Sequence, residues 1–320
     1  MRKQGISLIT FALFLFLVSW QSGPTGKNYD ALWKKVQQYT AKDLPRSALK
    51  TVQMIYNKAK TEGNEPQVIK SLLFRISLQS KYQEDYRLKS IRLFEKERQS
   101  ATGVEKPLLS SLLAQLYEGY FDAHRYEILN RMAAAHDTSL QTLGSEQWQK
   151  KIREAYLASV ALPAETGTIP LKDFSAILQS ADTVSYAVWP TLYDLLAHRA
   201  IRYFSSHTAT FWKRGTGVVH DTSLLAPASE FIKYRFPAGD TIPEITVLRL
   251  FQHLLRLHRQ HHQEAAFVDA DMRRLDYVMQ NLPQTPTNRL AYSHALERLL
   301  KQFSGKAVAV PVACKLASVY

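Results

Sequence analysis

The sequence predicts an all-α protein, built as an array of helical hairpins. Apolar residues recur at helical spacing in one segment after another, and many of these segments open with proline. Paired segments repeat every roughly 35 to 40 residues, which is typical of an α-solenoid of the tetratricopeptide kind. The tetratricopeptide consensus is not matched, so this prediction concerns the architecture alone.

The first pair of segments illustrates the pattern. A helix is expected from Asn28 to Ala41, and Pro45 opens a second helix that Gly63 ends. A short turn joins the two helices, so we expect an antiparallel hairpin. The inward-facing residues are expected to be Ala31, Leu32, Val36 and Tyr39 on the first helix and Ala48, Val52, Ile55 and Ala59 on the second.

The chain is expected to divide into a signal peptide at 1–22 and two helical regions at 27–162 and 169–320. The segment Pro-Ala-Glu-Thr-Gly-Thr between Leu162 and Ile169 interrupts the helical periodicity and marks the boundary. In the second region we expect helices at 190–204, 223–234, 243–262, 265–281 and 287–303, and a last one from about Pro311. This last helix stops in mid-pattern without a capping glycine, so the natural chain is expected to continue past Tyr320.

The amino terminus has the order of a secretory signal. Met1-Arg2-Lys3 is basic, 6–20 is an apolar run rich in Leu and Phe, and small residues follow. The run is about 15 residues long, whereas a membrane-spanning helix needs roughly 20. We therefore expect cleavage near Ser22 and export to the periplasm or cell envelope.

The chain is strongly basic, with 41 Lys and Arg against 28 Asp and Glu and a formal net charge of +13. Its basic pairs are isolated and flanked by acidic or apolar residues, as on solvated helix faces. Together with export, this argues against nucleic acid as a partner. Peripheral contact with an anionic membrane surface stays open. The one cysteine, Cys314, excludes an intramolecular disulfide, and we interpret it as a small buried apolar residue.

Four histidines at 253–262 form the densest group of metal-ligand types. His258 and His262 stand at i, i+4, the spacing at which two imidazoles share one zinc ion. However, Arg259 stands where a zincin motif requires Glu, and Arg256 and Arg259 would repel a cation. A solvated basic helix face is the favoured interpretation, and no metal or other cofactor is predicted.

Asp194 and His198 also stand at i, i+4, on a helix that Pro190 is expected to open in its first turn. No Gly-x-Ser-x-Gly nucleophile elbow occurs anywhere in the sequence. We interpret the two residues as a structural pair that ties this helix to a neighbour, in preference to a catalytic dyad. No catalytic residue is predicted, and the chain is not expected to be an enzyme.

The stretch 207–221 is the one region with some strand character, and it predicts a short β-hairpin or a loop. It contains Gly215 and Gly217 after two basic residues, a pattern that suggests a phosphate loop. The third glycine and the Gly-Lys-Ser/Thr ending are missing, so a simple turn is favoured.

Several tracts resemble the start of large exported bacterial proteins of the alpha-2-macroglobulin family. The resemblance begins with Tyr-Asp-Ala-Leu-Trp-Lys-Lys-Val at 29–36 and is clearest at 190–200, Pro-Thr-Leu-Tyr-Asp-Leu-Leu-Ala-His-Arg-Ala. It covers most of 29–204 and is weaker beyond. The other matching tracts lie at 42–45, 48–49, 110–117, 169–171 and Phe174.

The resemblance implies a role in protease inhibition. Proteins of this family look like protease traps. A protease cuts a bait segment, and the trap molecule collapses around that protease. In many members a Cys-x-Glu-Gln thioester then captures the protease. Here Cys314 is followed by Lys-Leu-Ala, so neither thioester nor bait is assigned. The chain is expected to be a non-catalytic helical segment of such an endopeptidase inhibitor, a scaffold or docking region whose partner is a protein. The alternative is a stand-alone tetratricopeptide-like envelope adaptor that binds a protein or peptide.

Overall fold

The computed structural model describes residues 27–131, 139–178, 183–206, 221–236 and 242–319. Within these ranges all regular structure is helical, apart from one isolated antiparallel bridge between Pro170 and Thr191. The predicted all-α class is confirmed. The signal peptide at 1–22 and nearly all of the stretch at 207–221 lie outside the described residues.

The α-helices of the described residues are numbered in chain order, and three short 3-10 helices lie between them at Leu171–Phe174, Thr222–Leu225 and Ala307–Ala309. They are α1 (Lys27–Ala41), α2 (Pro45–Glu62), α3 (Glu65–Gln79), α4 (Tyr86–Ser100), α5 (Glu105–Ala123), α6 (Arg125–Leu129), α7 (Ser145–Ser159), α8 (Pro163–Thr166), α9 (Thr183–Val188), α10 (Leu192–Ser206), α11 (Ala228–Phe231), α12 (Pro243–Gln260), α13 (Glu264–Asn281), α14 (Pro286–Gln302) and α15 (Val310–Ala317). No helix of the described residues is both long and apolar enough to cross a membrane.

Contacts divide the chain into two compact units. The first unit takes its described residues from Met1–Ala101, Leu112–Glu154 and Asp173–Ala181. The second takes them from Thr102–Ser111, Ala155–Lys172 and Asp182–Tyr320. The regions predicted at 27–162 and 169–320 stay a prediction, as does the likeness to tetratricopeptide repeats.

In the first unit, consecutive helices pack as the apolar spacing predicts. Gly63 ends α2 in the left-handed conformation, at φ 64°, which glycine adopts without steric cost. The predicted row of α2 is buried. On α1, however, Ala31 is exposed, and the buried residues are Tyr29, Trp33 and Val36. These larger side chains reach α2 and α3: Tyr29 Oη donates to Glu62, and Trp33 Nε1 donates to Gln67 Oε1 at 2.7 Å.

In the second unit, the helix predicted at 223–234 is not continuous. A 3-10 turn at Thr222–Leu225 is followed by the four-residue α11, because Pro227 separates them with extended backbone, φ −50° and ψ 146°. Side chains of neighbouring helices donate to carbonyl groups of this irregular segment. Gln252 donates to Phe231 and Tyr234, and Arg274 to Leu224 and Ala226.

At the carboxyl end, α15 forms close to the predicted position, but the interpretation of Cys314 as a buried residue is wrong. The thiol is exposed. Val312 takes the inward position of this helix and is fully buried. Two residues further along an α-helix, the side chain points about 200° away, so Cys314 faces the opposite side.

Candidate functional site

The candidate site is built around the start of α10. Leu171 N donates to Pro190 O at 2.8 Å, and Leu192 N donates to Ile169 O at 2.9 Å. These two bonds fix the chain that enters the helix. Pro190, predicted in the first turn, instead lies two residues before the helix begins at Leu192. Its own position is therefore set by the bridge to 169–171.

Thr191 and Asp194 form a reciprocal cap at this helix start. Thr191 Oγ1 accepts from Asp194 N at 3.3 Å. Asp194 Oδ2 in turn accepts from Thr191 N at 2.9 Å and from Thr191 Oγ1 at 2.6 Å. The spacing is that of a capping box, with Asp in the place usually held by Glu or Gln. The local sequence Thr-x-x-Asp thus orients the carboxylate through contacts within the helix start itself.

The other carboxylate oxygen of Asp194 faces α12. Asp194 Oδ1 lies 2.9 Å from His258 Nε2, and the two side chains are 0% and 1% exposed. On the far side of the imidazole, His258 Nδ1 lies 2.9 Å from Gln263 Oε1. The result is a chain of polar contacts from Thr191 through Asp194 and His258 to the partly buried Gln263, and it joins the start of α10 to the end of α12.

His198 does not bond Asp194, so the predicted pair at i, i+4 is wrong. The imidazole stacks on Trp189, with ring centroids 4.6 Å apart and an interplanar angle of 13°. Burial, together with a smaller effect of the nearby positive charge of Arg273, lowers the pKa of His198 from 6.5 to about 4. His198 is therefore neutral at physiological pH and acts as a flat packing surface.

The histidine group at 253–262 does not converge. His258 is buried with a protein oxygen 2.9 Å from each ring nitrogen, whereas His253, His261 and His262 are exposed. His262 lies beyond the end of α12 at φ 54°, so the helical geometry that would align it with His258 is broken. The prediction of a solvated basic face holds for three of the four residues but not for His258. No cluster of three His, Cys, Asp or Glu side chains in the described part of the chain is arranged to hold a metal ion.

The Asp194–His258 pair resembles the aspartate and histidine of a catalytic triad, but its surroundings fit a structural role. A general base needs a free ring nitrogen within reach of a substrate proton. Both ring nitrogens of His258 face protein oxygens, and the side chain is closed to solvent. The pair joins two helices. The loop with Gly215 and Gly217 lies outside the described residues.

Asp194 and His258 stand out separately in the sequence, but the sequence does not reveal that they meet. Helical spacing reveals partners within one helix, whereas this pair depends on the packing of α10 against α12. The capping box at Thr191 was the local signal that Asp194 points toward the helix start.

Fold and site together define an all-α protein of packed helical pairs with a buried structural histidine–carboxylate pair. Comparison with known proteins finds no match to this chain among family models, curated proteins or solved structures.

Proposed function

We propose that this chain is a non-catalytic helical scaffold in an exported, macroglobulin-like endopeptidase inhibitor. The non-catalytic role is supported by the burial of the three side chains that are the best candidates for catalysis. Asp194, His198 and His258 are all buried, and each is used to cap, pair or stack helices. The inhibitor role rests on the sequence tracts at 29–36 and 190–200 that resemble the macroglobulin family.

Within such an inhibitor, these residues position or dock other parts of the molecule. The chain has no thioester motif, since Cys314 is followed by Lys-Leu-Ala. The capture chemistry and the bait therefore belong to other segments. The expected partner of the helical scaffold is a protein, either the target protease or a component of the envelope.

A trap assay on the native protein from its source tests the proposal. An enclosed protease is shielded from large protein substrates but still cleaves small peptides, because only small molecules reach its active site. With the native protein in excess over a broad-specificity endopeptidase, we expect protein hydrolysis to fall and peptide hydrolysis to persist. Equal activity on both substrates, with and without the native protein, would overturn the proposal.

The matched control is the segment 24–320 alone. Neither a bait nor a thioester is assigned to it, so we expect it to leave both activities unchanged. Inhibition of both substrates by this segment would contradict a scaffold role, because it would mean that the segment blocks the protease active site itself.

The packing of consecutive helices α1, α2 and α3 favours a second candidate, a stand-alone adaptor of the envelope. Repeated helical pairs offer an extended surface for a protein or peptide. This candidate predicts tight, saturable binding of one envelope protein by 24–320 alone, with no effect on any protease. Isothermal titration against that protein separates the two proposals.

A further inference from the structure

An open depression of about 210 Å³ lies at the turn between α12 and α13, within the second unit. Its apolar part is formed by Phe267 and Phe303, whose ring centroids are 6.1 Å apart. Both are more than nine-tenths buried, at 8% and 7% exposed. The rings are held mostly within the core, and their small exposed part contributes to the lining of the depression.

The polar part of the depression carries unpaired positive charge. Arg259, in the last turn of α12, and His262, just after it, both line the depression and are both exposed. Across the described residues, neither side chain has a carboxylate partner. His262 adopts φ 54°, a left-handed conformation that is uncommon for a residue with a side chain. This turn places the imidazole at the depression instead of continuing the helix.

The one carboxylate at the depression is already neutralised. Glu264 Oε1 lies 2.5 Å from Lys306 Nζ. The same ammonium group lies 5.9 Å from the centre of the Phe303 ring. With Glu264 and Lys306 cancelling each other, the net charge around the depression is that of Arg259 and, when protonated, His262.

We infer that this depression binds a small organic carboxylate with an aromatic or bulky apolar body. The body packs on Phe267 and Phe303, and the carboxylate accepts hydrogen bonds from the Arg259 guanidinium, whose planar fork fits a carboxylate. The volume is below the roughly 300 Å³ at which drug-sized sites begin, so the ligand has about one ring and a short chain. Two sources carry this chemistry, a free acid and the terminal residue of a peptide.

This inference does not depend on the proposed function, because acid binding and protease inhibition are measured separately. The first probe is 3-phenylpropionate, titrated into the purified chain and followed by ligand-observed NMR. We expect saturable binding. Acetate, which lacks the ring, and 3-phenylpropionamide, which lacks the charge, are expected to bind at least about tenfold more weakly, as for a lost charged hydrogen bond or lost ring burial. Equal or non-saturable binding of all three would overturn the inference.

Arg259→Gln tests the protein side of the same contact. The side chain is exposed and makes no ion pair in the described region, so the fold is expected to survive. We expect at least about tenfold weaker binding of 3-phenylpropionate. The control is Arg289→Gln, an equal loss of charge at the other end of α14 from the lining residue Gln302, about 20 Å away along the helix. Unchanged binding by Arg259→Gln, or an equal loss in both variants, would contradict the assignment.

Two peptides separate the sources. One is a short peptide ending in Phe with a free carboxylate, and the other is the same peptide amidated at its end. Tighter binding of the free-carboxylate peptide than of 3-phenylpropionate assigns the depression to a chain terminus. Binding of 3-phenylpropionate alone assigns it to free acids. Binding of the amidated peptide as tightly as the free form would overturn the role of the carboxylate.

Discussion

Asp194 is a buried carboxylate with polar groups of the protein close to both of its oxygens. Moving a charge out of water costs several kcal/mol unless partners replace the water. Here Thr191 supplies a backbone N–H and a hydroxyl group, and His258 supplies a ring nitrogen. Thr191 lies three residues before Asp194, whereas His258 lies on the distant helix α12. Asp194 therefore links the start of its own helix to the packing of α10 against α12.

Asp194→Ala is expected to lower the free energy of unfolding by about 3 kcal/mol or more. It removes the carboxylate half of the cap of α10 and leaves His258 Nε2 buried without its partner. Urea unfolding followed by circular dichroism measures the change. The control is Glu230→Ala, an exposed carboxylate of the same unit, which we expect to change stability by less than about 0.5 kcal/mol. A similar small effect for Asp194→Ala would disprove the structural role of the pair.

His198 predicts a pH dependence of stability. Its folded-state pKa of about 4 lies below the unfolded value of 6.5, so between these values the unfolded chain binds more protons. Stability is therefore lost as pH falls through this window. Relative to His198→Phe, which keeps a ring against Trp189, the wild-type chain is expected to lose about 2 to 3 kcal/mol between pH 7 and 4.5. Parallel urea curves for both proteins across this range would refute the prediction.

The buried Lys70 leads us to expect a second pH dependence of stability, this time above neutral pH. It is buried with its ammonium group 4.7 Å from the centre of the Trp33 ring, and burial lowers its pKa from 10.5 to about 8, although Asp30 partly offsets the shift. Between these values the unfolded chain again binds more protons, so stability rises with pH. Relative to Lys70→Met, the wild-type chain is expected to gain about 2 kcal/mol between pH 7.5 and 10. A difference that stays constant in guanidinium unfolding would show that Lys70 is solvated.

At the scale of the element, α10 depends on its first residues. Thr191→Ala removes the hydroxyl group that accepts from Asp194 N and donates to its carboxylate, and is expected to cost about 1 to 2 kcal/mol. Thr191→Ser keeps the hydroxyl group and is expected to retain most of the stability. Thermal unfolding of the three proteins checks this order, and equal losses for Ala and Ser would assign the effect to the lost methyl group.

The sequence predicted most helix positions because proline and glycine mark their ends. Pro45, Gly63 and Pro243 stand at or beside the observed boundaries of α2 and α12. The prediction failed where hydrogen bonds between residues distant in sequence determine the backbone conformation. The segment at 223–234 is kept irregular by Pro227 and by donors from α12 and α13, which apolar periodicity does not reveal.

The candidate site was less predictable than the helices. Residue types and spacing drew attention to Asp194, His198 and His258 but assigned Asp194 the wrong histidine. The carboxylate of Asp194 points back over the helix start to Thr191, as an N-terminal cap requires, and not forward to His198. Which helix then covers it is a property of the tertiary fold.

At the scale of the whole molecule, we propose a helical scaffold that works within a larger exported inhibitor. The net charge of +13 and the all-α fold are compatible with both the inhibitor and the stand-alone adaptor. These two differ in the size of the native polypeptide, and that difference is independent of any ligand or target.

The most direct measurement is the mass of the native polypeptide in its source cell, detected on a denaturing gel with an antibody against residues 24–320. The inhibitor proposal predicts a band several times larger than the 36.6 kDa of this chain. A band near that mass, reduced only by the signal peptide, would contradict the proposal and leave the stand-alone adaptor.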